Sequence, residues 1–269
     1  MTLCGRLLRI KITHEKIVNL QKHPIKDINY RKNCKAKLDL KGALVMENFL
    51  TFESLDYLQF ESRELHHLAY FCHQNHNAYL LKPDPDLPDE HIRNLAQSSD
   101  KGCVTHDQIP LNSPLRTLYE WSVFQSFLEA LLSNKIFPYT DNLSSININY
   151  FEKGQQLGWH YDNASFAVTL MVQAPEQGGE FQYLEHLRNF EKNDQGFAKT
   201  EDVVKGRIPC KKLNMGDGSL VLFKGRNSLH RVTQVKSDHA RILVTLNFNT
   251  EPGIMLSKLA RMTFFGRLD

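Results

Sequence analysis

Residues 157–173 read Leu-Gly-Trp-His-Tyr-Asp-Asn-Ala-Ser-Phe-Ala-Val-Thr-Leu-Met-Val-Gln, and this stretch constrains the fold more than any other. His160 and Asp162 are two residues apart, so on a strand they share one face, and at a strand's end they converge on one point. The apolar run Val168–Val172 that follows has the length and β-branching of a buried strand. A further imidazole, His230, lies 70 residues on (230 − 160). The fold must therefore bring the chain back to the His160–Asp162 pair. Two histidines and one carboxylate hold one face of an octahedron and leave its other positions open, the ligand set that suits a non-haem Fe(II) ion. Arg241 follows eleven residues later (241 − 230) at the head of Arg-Ile-Leu-Val-Thr-Leu-Asn-Phe, where its planar fork could clamp a carboxylate.

Working outward, Ser219–Phe223 and Arg241–Phe248 read as buried strands, so each ligand-type residue sits at the edge of an apolar β segment. Residues 145–150, Ser-Ile-Asn-Ile-Asn-Tyr, alternate with period two as a half-buried strand does. Upstream, Gly42–Met46 suggests a short strand. A helix is expected from Thr51 as N-cap, with Leu55, Leu58, Leu65, Leu68 and Ala69 on one face, and a second helix over 113–133. Asp84–Asp107, rich in Pro, Asp, Ser and Gly, reads as a long loop and a possible lid. The polar insert between Tyr183 and Lys211 reads as a surface excursion, and Gly216–Gly218 as a turn. Helices first and strands after make an α+β chain with one β-rich core at about 145–253, in a single domain over 28–269 preceded by a basic extension, 1–27.

With 269 residues, 41% hydrophobic and 23% charged, the chain has the composition of an ordinary soluble globular protein. A net charge of +3 gives no reason to expect nucleic acid, although Lys and Arg outnumber Asp and Glu over residues 1–42. Cys4, Cys34, Cys72, Cys103 and Cys210 are scattered and odd in number, which argues for a reducing compartment rather than a disulfide framework. Arg6, Arg9 and Lys11 interrupt the N-terminus, and no apolar stretch reaches membrane-spanning length. The expectation is a cytoplasmic protein that does not engage a membrane.

Several stretches resemble the Fe(II)/2-oxoglutarate-dependent oxygenases: Asn149-Tyr150, Gly158–Asn163, Phe166–Leu170, Gln173, Gly178–Phe181 and Leu222–Thr233. They are more closely similar to the branch of halogenases and hydroxylases acting on free amino acids, lysine above all. The resemblance implies a double-stranded β-helix, or jelly-roll, braced by N-terminal helices. It implies Fe(II) on His160, Asp162 and His230, with 2-oxoglutarate held at its far carboxylate by Arg241. In halogenating members a small residue replaces the carboxylate ligand and leaves a position for chloride. This chain has Asp162 there and so looks like a hydroxylase of a free, cationic amino acid such as lysine, using O2. A protein or peptide hydroxylase on the same fold remains open and would need an open groove. A non-catalytic jelly-roll binding module would be expected to carry a damaged ligand set.

For the substrate, the resemblance points to Arg93 as the grip on the amino acid's carboxylate. Asp141 is a candidate for a substrate ammonium, and Asn163 beside the iron pair could donate and accept. Asn247 and Asn249 fall on the alternation of Arg241 and Thr245, and a buried Asn needs a partner. Trp159 alternates away from His160 and reads as core. Lys224 and Arg226 read as surface charges, and Arg231 is too near His230 to share its face. Phe264 and Phe265 either wall a pocket or seal the core.

Overall fold

A computed structural model describes residues 13–269. The strands are β1 (Ala43–Met46), β2 (Tyr70–His76), β3 (Gln97–Val104), β4 (Phe137–Pro138), β5 (Ile146–Phe151), β6 (Leu157–His160) and β7 (Ala167–Gln173). They continue as β8 (Phe181–Leu184), β9 (Lys211–Leu213), β10 (Leu220–Phe223), β11 (Leu229–Val232), β12 (Arg241–Leu246) and β13 (Phe248–Asn249). The helices are α1 (His14–Ile17), α2 (Ile28–Lys41), α3 (Phe52–Leu65), α4 (Pro114–Tyr119), α5 (Ser122–Leu132), α6 (Phe197–Val204) and α7 (Lys258–Phe265).

Among the described residues, one antiparallel sheet runs β1-β10-β7-β12-β5-β3-β6-β11-β8-β9, with β2 paired to β3. The β3–β6 junction is a single pair, Ser99 with Leu157. There the sheet folds over, and β6, β11, β8 and β9 face the larger half. This is the nearly closed barrel of a double-stranded β-helix, as the α+β jelly-roll expectation requires.

The period-two alternation of strands assigns each side chain to a layer. Leu220 and Leu222 of β10, Val168 and Leu170 of β7, and Ile242, Val244 and Leu246 of β12 join the main hydrophobic core. Leu38, Leu58, Phe124, Phe127 and Leu128 from α2, α3 and α5 complete that core from outside the barrel. The alternate residues Val221, Phe223, Ala167, Thr169, Leu243 and Thr245 line a cavity inside it. Burial on both faces explains why these strands read as continuous apolar runs.

Helix starts follow the capping residues. Thr51 Oγ1 accepts from Ser54 N at 3.2 Å, and Ser113 Oγ accepts from Leu115 N with Pro114 in the first turn. The helix expected over 113–133 is two helices, because Trp121 is extended at the junction. Trp121 is buried and stacks on His14 at 4.7 Å, so its tertiary packing overrides helix propensity.

Three further expectations are corrected. The second half of the 84–107 loop is the strand β3, paired with β2 from Tyr70–Cys103 to His76–Gln97. Its first half is tied by Asn94, whose amide donates to Asp84 O, Leu87 O and Pro88 O. Second, the insert between Tyr183 and Lys211 is more than a surface excursion. It buries Leu187 and Val203 against Tyr79, Trp159 and Tyr161 on the outer face of the smaller half-barrel. Third, of the basic extension 1–27, residues 13–27 contribute Ile17, Val18 and Ile25 to the main core, and the rest lies outside the described residues. Among the described residues no helix is long and apolar enough to cross a membrane.

Candidate active site

Strand pairing builds the centre of the site. β6 ends at His160, and His230 of β11 stands directly opposite it in register. The two rings lie 4.1 Å apart, centroid to centroid. Asp162, two residues past His160, places Oδ1 3.6 Å from His160 Nε2 and 3.4 Å from His230 Nε2. One ligand atom from each of the three lies within 4.8 Å of the other two. These separations are long for hydrogen bonds and leave space for an ion between the three atoms.

The neighbouring backbone fixes which atoms face inward. His160 Nδ1–H donates to Gly158 O at 2.8 Å, and His230 Nδ1–H donates to Ser228 O at 3.0 Å. Both rings therefore turn an unprotonated Nε2 towards Asp162, the tautomer a metal ion needs. Burial, helped by the neighbouring His230, lowers the His160 pKa and favours the neutral ring. Burial works against ionised Asp162, but positive charge on its two neighbours, His230 foremost, outweighs it and holds the carboxyl well below the usual carboxylate range, a role that a metal ion would take over between neutral rings. The donor set fits a divalent, nitrogen- and oxygen-seeking metal such as Fe(II).

Two residues that the sequence reading passed over set Asp162 in place. Asp162 N–H donates to Gly225 O at 3.1 Å, and a Cβ at Gly225 would overlap the Asp162 carboxylate. Arg188, buried in the 183–211 insert, donates through Nη2 to Asp162 O at 3.3 Å and lies 4.2 Å from the Tyr161 ring.

Arg241 faces the same cavity from the opposite half of the barrel. It is 0% exposed, and among the described residues Nε, Nη1 and Nη2 find no hydrogen-bond partner. Burial pushes its pKa down to about 10, so it stays charged near neutral pH. Its Cζ lies 5.2 Å from the Phe151 ring centroid, but a buried, charged guanidinium without hydrogen bonds is costly, and an incoming carboxylate supplies the two acceptors its fork is shaped for. The cavity between Arg241 and the triad measures about 300 Å³. That is the small end of the range for ligand sites.

The four substrate candidates are not brought to this cavity. Asn163 is exposed and lines a separate surface cleft, where its carbonyl accepts from Arg226. Asn247 follows the end of β12, and its amide donates to Ser144 O and Asn147 Oδ1. The alternation that placed it beside Arg241 holds only through Thr245. Asp141 accepts from the backbone N–H groups of Leu143, Ser144 and Leu256, so its carboxylate organises a loop. Arg93 keeps a buried Nη1 without a partner but is absent from the cavity wall. Trp159 is core, with Arg231 over its ring at 4.6 Å. Phe264 walls the cavity, and Phe265 packs with Cys103 and Leu143.

The family model for halogenase D matches residues 96–258, more than half of the chain and all four of His160, Asp162, His230 and Arg241. The chain belongs to the halogenase D family. Solved structures share its fold at low identity. One is a 2OG-Fe(II) oxygenase-family oxidoreductase from Burkholderia pseudomallei, with TM-score 0.53 and 14% identity, covering 83% of this chain and 92% of that one. Another is a prolyl hydroxylase from Trichoplax adhaerens in complex with a peptide fragment, with TM-score 0.53 and 14% identity, covering 86% and 93%. A further one is the epimerase SnoN in complex with Fe3+, alpha ketoglutarate and nogalamycin RO, with TM-score 0.57 and 12% identity, covering 83% and 84%. No curated protein matches the chain. This halogenase D family member thus has the fold of the Fe(II)/2-oxoglutarate oxygenases and keeps a carboxylate, Asp162, between its two histidines.

Proposed function

We propose that this protein is an Fe(II)- and 2-oxoglutarate-dependent hydroxylase of a small molecule. The observation that carries the reading is Asp162, with an imidazole Nε2 at 3.4 Å and another at 3.6 Å from its Oδ1. A carboxylate there takes the coordination position that a halide would require, which favours hydroxylation over halogenation. Bound Fe(II), with 2-oxoglutarate and O2, would supply the oxidising power to place one oxygen atom on an unactivated C–H bond, the other entering succinate as 2-oxoglutarate loses CO2.

The chain's own residues do the rest. His160, Asp162 and His230 hold the metal on one face. Arg241 takes the far carboxylate of 2-oxoglutarate and sets its distance from the triad. Phe151, Leu157, Val221, Val232 and Leu243 exclude water from the space between. The small cavity favours a small molecule over a peptide in an open groove. A free amino acid fits the family resemblance through its carboxylate. A lysine-like side chain would need an acidic partner, and Asp162 is the sole carboxylate on the described cavity wall.

The test is succinate release from 2-oxoglutarate with Fe(II) under air, across free amino acids and simple carboxylates. Wild type should release succinate, and His160→Ala should not. Equal release from both would remove the assignment.

A further inference from the structure

Among the described residues, the charged side chains on the cavity wall are Lys101, Asp162 and Arg241. On the oxygenase reading, Fe(II), Asp162, dianionic 2-oxoglutarate and Arg241 cancel one another. Among the described residues of the wall, the ammonium of Lys101 is then left without a counter-charge. It forms no ion pair among the described residues.

Lys101 is held in position rather than free to seek solvent. Its Nζ donates to Asn149 Oδ1 at 2.8 Å and lies 5.4 Å from the centroid of the Phe264 ring. Asn149 is buried, and its amide donates to Asn147 O and Leu243 O, so the acceptor that anchors Lys101 cannot swing away. An ammonium carries three donors, and this one spends a single hydrogen bond on a neutral partner. The remaining donors belong to a partly buried cation beside which the described wall places no free carboxylate, and a missing counter-charge there is costly. Beside Lys101, β2 and β3 present Gln74 and Ser99 to the cavity, and neither carries charge.

We propose that Lys101 binds the carboxylate of the substrate, and that the substrate is a small carboxylate with an apolar, uncharged body. The assignment rests on Arg241 being committed to 2-oxoglutarate. Substrates with a cationic side chain are disfavoured, because Asp162 is engaged by the triad and the described wall offers no second acid.

Binding to Fe(II)-loaded protein with 2-oxoglutarate, kept free of oxygen, tests this by calorimetry. The probes are 4-methylpentanoate, its primary amide, L-leucine and L-lysine. Wild type should bind 4-methylpentanoate at least about tenfold more tightly than the amide, and more tightly than L-lysine. Lys101→Met and Lys101→Gln should erase the carboxylate-over-amide preference while leaving 2-oxoglutarate affinity unchanged, which also certifies their folding. Arg241→Met should do the reverse and lose 2-oxoglutarate. A preference that survives in both Lys101 variants, or wild type that ignores 4-methylpentanoate or prefers L-lysine, overturns the proposal. If Arg241→Met leaves 2-oxoglutarate binding intact, the co-substrate reading fails instead.

Discussion

Replacing Arg241 by Met removes a fully buried cation and should split two properties that usually move together. In wild type the guanidinium is 0% exposed with three unpartnered nitrogens, so its whole fork is available to a carboxylate. Hydrogen bonds to a charged group are worth about 1.5–3 kcal/mol. Losing the interaction should therefore weaken 2-oxoglutarate by about 10- to 150-fold. Arg241→Lys keeps the charge but not the bidentate geometry, and should lose at least about tenfold. Meanwhile the ligand-free Met variant no longer buries an uncompensated charge, and should be as stable as wild type or more so. Differential scanning fluorimetry reads both effects. At 2-oxoglutarate 100 times its Kd, wild type gains about 2.7 kcal/mol, or a Tm rise of about 5 °C. The Met variant should start at or above the wild-type Tm and, at the same 2-oxoglutarate concentration, gain only about 0.3–1.4 kcal/mol, a rise of about 0.5–2.5 °C. A Met variant that is strongly destabilised without ligand, or that still gains the full rise, would show that Arg241 is not an unpaired anchor for 2-oxoglutarate.

Gly225→Ala should lower Fe(II) affinity by about 10- to 100-fold without altering the far-ultraviolet circular dichroism, because its Cβ occupies the place of the Asp162 carboxylate; unchanged iron affinity would contradict this. Asp162→Gly should lose most hydroxylation and chlorinate poorly at best, as read by product mass spectrometry in high chloride. Glu61 is buried and accepts from Ser113 Oγ at 2.6 Å, and burial pushes its pKa up to about 7. Its proton is held more tightly in the folded state, so its contribution is fully present below about pH 4.5 and is lost as pH rises through 7. Glu61→Gln should accordingly raise Tm at pH 8 and leave it nearly unchanged at pH 5, and an equal shift at both would refute the assignment.

The parts legible in the sequence are those where chemistry and periodicity coincide. His160, Asp162, His230 and Arg241 sit on apolar strands whose alternation is unmistakable, and the barrel brings them to one cavity. β2 and β3 escaped because their cavity-facing residues, Gln74, Ser99 and Lys101 among them, are polar, and a polar strand reads as loop. Lys101 escaped for the same reason, since no sequence signal separates it from a surface lysine. Asn163, Asn247 and Asp141 were plausible by proximity, but each side chain or backbone carbonyl is occupied by local bonds or directed elsewhere. Gly225 lies 63 residues from Asp162 (225 − 162), and only the folded chain reveals that one needs the other to be small.

With a carboxylate between its two histidines, this halogenase-family chain is expected to hydroxylate. Mass spectrometry of the product formed under 18O2, with Fe(II), 2-oxoglutarate and the carboxylate panel in chloride-containing buffer, tests it most directly. Wild-type product should carry one 18O and no chlorine, with one 18O in succinate. A chlorinated wild-type product, formed with Asp162 in place, would contradict it.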